Sequence, residues 1–161
     1  MWSLIIISHI LMAISSFMLL FSSINGHFIV NDLGALSITF TSIFSVMVYT
    51  FTQSLVLFLI IAINKNIKNL ILENKITIED KLYSSYKYKM HMHTSLNLLF
   101  MITLGILFGA VHTGLINEKI HNAFFMIGTI HYLYVVYIQY HCFKRIIKLI
   151  VRVNDMINIK L

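Results

Sequence analysis

The sequence predicts an all-α integral membrane protein, an antiparallel four-helix bundle with both ends on the inner side. Three observations carry this. Of 161 residues, 58% are hydrophobic and only 11% are charged, less than half the about 25% charge of a soluble domain. Four apolar stretches reach the roughly 20 residues needed to cross a hydrocarbon core of about 30 Å. The cations fall almost wholly between the second and third stretches and after the fourth. With mean hydropathy of +0.84, the chain is neither a soluble globule nor a disordered tail. It is also no nucleic-acid module. The single cysteine, Cys142, leaves no intrachain disulfide.

The first stretch, 4–24, is uncharged. It lacks a basic leader and an A-x-A site, so it reads as a retained span rather than a signal peptide. The second, 34–63, is also uncharged and long enough to tilt or project. The third covers 94–116 and the fourth 122–143. None shows the alternation of a barrel strand, and lipid forbids unpaired backbone groups, so all four are expected as helices. Short connections at 25–33 and 117–121 make antiparallel neighbours of one and two, and of three and four. The lysine-rich 64–92 stretch reads either as a helical extension along the inner surface or as a solvated loop. Residues 144–161 form an inner tail, and the whole chain is one transmembrane domain.

Lys65, Lys68, Lys75, Lys81, Lys87 and Lys89 precede the third span, and Lys144, Arg145, Lys148, Arg152 and Lys160 follow the fourth. Only Lys119 lies elsewhere. The positive-inside rule therefore puts both termini on the cytoplasmic or matrix side of a bacterial inner or organellar inner membrane. Proline is absent, so nothing marks the broken helices of many transporters.

At about 100° per residue, His9, Ala13, Ser16, Ser23 and His27 share a stripe on the first helix. Ser42, Tyr49, Gln53 and Asn64 share one on the second, and Gly105, Gly109 and His112 one on the third. On the fourth, His121 and Gly128 share a face, with His131 nearby. Polar residues in a span normally face the bundle, and small residues let helices approach.

Eight histidines are the chemical inventory, because all six acids lie in connections or the tail. No nucleophile constellation, phosphate loop or Cys-x-x-Cys is present, so no catalytic residue is assigned. Histidine between spans suits haem, whose iron takes two axial imidazoles. His27 and His112 sit at similar outer depth, with Gly105 and Gly109 on the His112 face giving a macrocycle room. His121 is the reserve outer ligand, and His9 with His131 is the inner second choice. Gln53 could bond a ligand or quinone. The competing reading is histidine used only for interhelical hydrogen bonds. Met90-His91-Met92-His93 has copper-type ligands but reads as interfacial, and His141-Cys142 beside Lys144-Arg145 reads as an inner headgroup anchor.

The layout and the run Gly105-Ile-Leu-Phe-Gly109-Ala-Val-His112, followed by His121 and His131, resemble small four-helix cytochrome b-type membrane subunits. That resemblance implies haem b and a non-catalytic role in a respiratory or electron-transfer complex, with other membrane subunits and the bilayer as partners. The alternative expectation is a cofactor-free structural subunit packed against larger partners. Orientation is testable by itself: a cysteine introduced at Asn31 or Asn117 should react with an impermeant reagent from outside intact cells. Reaction only after lysis would reverse the topology.

Overall fold

The computed structural model describes residues 2–28, 35–74 and 81–160, with side chains over 3–25, 40–74 and 87–157. These residues form four helices, α1 (Trp2–Phe28), α2 (Ala35–Glu73), α3 (Lys81–His112) and α4 (Glu118–Lys160), and no strand. Each contains a stretch long and apolar enough to cross a membrane: Ser3–Asn25, Phe40–Glu73, Lys87–His112 and Glu118–Ile157. The chain thus has the helix content of a multi-pass membrane protein.

α1 lies against α2 and α4, and α3 against the same two helices. α2 and α4 touch across the centre, while α1 and α3 do not meet among the described residues. Ser22 and Ser42 join α1 to α2 through their hydroxyls at 2.6 Å, and Ser45 Oγ donates to Met18 O at 3.3 Å. Two apolar clusters fill the interior. Leu19, Tyr49, Met101, Phe108, Phe125 and Tyr132 belong to one. The other includes Met12, Ile60, Ile67, Met90, Phe143 and Ile146.

The helices run further than their apolar stretches. At about 1.5 Å per residue, the 43 residues of α4 extend roughly 64 Å, beyond the about 45 Å of a whole bilayer. The 64–92 stretch, expected as a helical extension or a solvated loop, is helical over 64–73 and 81–92. It is the end of α2 and the start of α3, apart from 75–80, which lie outside the described residues. The reason is packing: Ile63 and Ile67 of α2 and Met90 of α3 are buried in one cluster with Ile146 and Leu149 of α4. The 144–161 tail is the second half of α4 as far as Lys160, and the apolar core continues into it.

The buried face of α1 also differs from the expected stripe. Ile5, Ser8, Met12, Ser15, Leu19 and Ser22 are buried at alternating spacings of three and four, the seam of close-packed helices. Ala13 is exposed, and His9 and Ser16 are only half-buried; of that stripe Ser23 is buried, and the side chain of His27 lies outside the described residues. The Ser15-Ser16 and Ser22-Ser23 doublets fit two stripes about 100° apart, and the apolar residues Ile5, Met12 and Leu19 decide between them. Several of these buried hydroxyls are satisfied locally, as in Ser8 Oγ to Ile5 O at 2.8 Å and Thr52 Oγ1 to Val48 O at 2.8 Å.

The turn between α3 and α4 is built by its own residues. Gly114 adopts φ of 75°. Leu115 N then donates to Ala110 O and Gly114 N to Val111 O, both at 3.0 Å, which closes the helix end with a left-handed glycine. Asn117 Oδ1 accepts from Lys119 N at 2.9 Å, capping α4, and Glu118 complements its N-terminal dipole.

The helical glycines make a graded test. A Cβ at Gly128 would meet Met101 Sδ at 2.5 Å and Phe100 at 3.0 Å, one at Gly105 would meet Val46 at 3.1 Å, and one at Gly109 would meet nothing within 4 Å. Gly128→Ala should cost about 1–3 kcal/mol through overpacking of fully buried Met101, whereas Gly109→Ala should be neutral or stabilising. Thermal unfolding in detergent checks the order, and equal effects would contradict this packing.

Candidate functional site

Each helix sends polar side chains to one level of the interior. Tyr49 and Gln53 are one turn apart on α2, Thr94 and Asn97 one turn apart on α3, and Tyr132 and Gln139 lie on α4, with Ser15 on α1. All seven are fully buried, and burying such groups is tolerable only when they are hydrogen-bonded. The arrangement meets that condition almost completely.

Ser15 Oγ donates to Met12 O at 3.1 Å, so the 2.6 Å contact between Tyr132 Oη and Ser15 Oγ has tyrosine as donor. Tyr132 Oη in turn accepts from Gln53 Nε2 at 3.1 Å. Gln139 Nε2 donates to Gln53 Oε1 at 2.6 Å and to Thr94 Oγ1 at 3.1 Å. The Tyr49 ring meets Tyr132 edge to face at 4.8 Å, and its hydroxyl donates to Asn97 Oδ1 at 2.7 Å. Gln139 Oε1 is the one amide atom of this group without a partner among the described residues.

Asn97 extends the chain of bonds to two histidines. Its Nδ2 donates to Gly128 O at 3.0 Å and to His131 Nδ1 at 3.1 Å. His131 Nδ1 is thus an acceptor, and the neutral ring carries its hydrogen on Nε2, 3.3 Å from His93 Nδ1. With both facing atoms committed to each other, a metal would have to displace a proton to enter. No group of three or more metal-type ligands occurs among the described residues.

The remaining sequence candidates are placed as follows. His9 bonds Ile5 O through Nδ1 at 2.7 Å and packs on Phe143 and Tyr140 at 5.2 and 6.0 Å, so it is not brought to His131. His27 lies in the last turn of α1, but its side chain is outside the described residues. His112 is the last residue of α3 and is exposed. Among the described residues α3 does not touch α1, and Leu19, Phe108 and Phe125 form one buried cluster. Gly105 faces Val46 of α2, so the space beside it is partly taken. The rest is an apolar groove of about 490 Å³ between α2 and α3, lined by Ile43, Met47, Phe51 and Ile102 among others and by no histidine. In the Met-His run, Met90 is buried while Met92 is exposed, so the two sulfurs diverge.

One residue stands out that sequence reasoning kept only in reserve. His121 is 2% exposed, its Nε2–H donates to Leu104 O at 3.0 Å, and its ring packs on Phe108 at 4.4 Å. Its Nδ1 has no partner among the described residues. Ser23 Oγ is also buried and without a partner among the described residues. Because Ser15 meets Tyr132 and His9 meets Phe143, Ser23 and His121 lie toward the same end, about 12 and 16 Å from the Ser15–Tyr132 level.

Asn97 joins three helices, so Asn97→Leu should strand the Tyr49 hydroxyl and lower stability by about 1–3 kcal/mol. Unfolding measurements in bicelles check this, and a stabilised variant would contradict the network. No family model matches the chain, and no curated protein or solved structure matches it.

Proposed function

We propose that this chain is a single-domain membrane subunit whose interior is filled by its own side chains and which works by packing against larger membrane partners. The proposed architecture is an antiparallel four-helix bundle crossing a bacterial inner or organellar inner membrane, N-in and C-in. The observation that carries this reading is the centre itself. Ser15, Gln53, Tyr49, Asn97, Tyr132 and Gln139 knit four helices together where a cofactor-carrying bundle keeps room for its cofactor. Descending contact pairs support the antiparallel arrangement: His121 with Leu104, Gly128 with Asn97, and His131 with His93. The orientation rests on the placement of the cations.

A second reading keeps the haem b subunit of an electron-transfer complex, and one atom favours it. His121 Nδ1 is an imidazole lone pair held in a fixed tautomer by Leu104 O, the second-shell arrangement typical of metal-ligating histidine. In that reading His121 takes the place of His112 opposite His27, and the Phe108 ring must move aside. Quinone binding would fall to Gln53, whose amide is already committed to Tyr132 and Gln139.

An absorption spectrum of the native, detergent-solubilised complex separates the two. The structural subunit should be colourless and fully helical, and His121→Ala should leave the spectrum unchanged. A Soret band that shifts on reduction and disappears in His121→Ala would overturn the first reading in favour of the second.

A further inference from the structure

The outward face of α4 changes character in a fixed order toward its C-terminal half. Phe124, Ile127 and Ile130 are exposed on this helix, then Tyr134, Tyr137 and Tyr140, and then Lys144, Lys148 and Arg152. At about 100° per residue, Tyr134, Tyr137, His141, Arg145, Lys148 and Arg152 fall within an arc of about 80°. The stripe is built rather than scattered. Tyr137 packs edge-on against His141 at 4.5 Å, and Tyr140 meets the same ring at 5.6 Å. No acidic residue interrupts the run before Asp155.

We propose that this aromatic-to-cationic stripe of α4 is a binding site for an anionic glycerophospholipid of the inner leaflet. It rests on the membrane-spanning reading above and adds a ligand to it. The same helix face that meets acyl chains at exposed Ile130, about 16 Å before His141 and so within one leaflet, must meet headgroups further along, so one lipid spans both halves. Tyrosine rings sit at the glycerol level, where an apolar body and a polar tip are both served. From His141 to Lys148 the rise is about 10 Å, comparable with the depth of the headgroup layer. A phosphodiester lacking a compensating amine charge therefore lies within reach of His141, Lys144 and Lys148, which share an arc of about 60°. The exit of α2 offers no equivalent. Phe58 and Ile61 are exposed there, but Lys65 and Lys68 follow them without a tyrosine or histidine.

The test uses the full chain. Carbonate extraction first shows whether it is integral to the membrane, and a chain released by carbonate overturns the membrane reading itself. Retained protein is then taken through mixed micelles of phosphatidylcholine and phosphatidylglycerol, and the lipids left bound are counted by native mass spectrometry. The wild type should prefer phosphatidylglycerol by about fivefold or more, and added salt should shrink the preference. The combined variant His141→Gln, Lys144→Gln, Lys148→Gln should lose it, while Lys65→Gln with Lys68→Gln should keep it. Equal retention of the two lipids by the wild type overturns the proposal. So does an unchanged preference in the α4 variant, or an equal loss in the α2 variant, which would mean diffuse charge rather than a site.

Discussion

The hydroxyl of Tyr132 is the point on which the fold turns. It is fully buried and meets Ser15 of α1 and Gln53 of α2 from its place on α4. In hydrocarbon an unmade hydrogen bond has no water to fall back on, so three helices are held at one rotation and one depth. Gln53 passes the constraint to Gln139 and Thr94, and Tyr49 passes it to Asn97 and α3. Membrane bundles have little hydrophobic drive toward association. Polar contacts and close approach, as at Gly128, therefore decide which faces meet.

The fold was legible where one kind of residue dominates. Long uncharged runs marked the helices, and of the expected stripe on α2 Ser42, Tyr49 and Gln53 are buried while Asn64 is half-buried. On α1 the buried seam lies about 100° from the expected stripe, of which Ser23 alone among the described residues is buried, because the serines come in pairs and only the apolar residues between them distinguish the two faces. The lysine-bearing helix ends were harder to read for a different reason. Lysines at 65, 68 and 87 made the segment look like surface, yet Ile63, Ile67 and Met90 at helical spacing continue the core beneath them. Ile146, Leu149 and Val153 carried the same signal on α4.

The candidate centre was less legible. Asn97, Thr94 and Gln139 are single polar residues in apolar runs, and nothing in one sequence says that they meet. The histidines drew attention by their number, and four of the eight are held in hydrogen bonds: His9 on Ile5 O, His93 with His131, His121 on Leu104 O. His121 looked like a connection residue because the fourth apolar run begins after it. Asn117 caps α4 just before it, which winds His121 into the first turn and turns it inward.

A double-mutant cycle on Ser15→Ala and Tyr132→Phe, followed by unfolding of the full chain in bicelles, tests the central constraint most directly. If the Tyr132 hydroxyl ties α1 to α4, the two changes should couple by about 0.6 kcal/mol or more, the scale of interhelical hydrogen bonds in membranes. Strict additivity, or a Tyr132→Phe variant more stable than the wild type, would contradict the account.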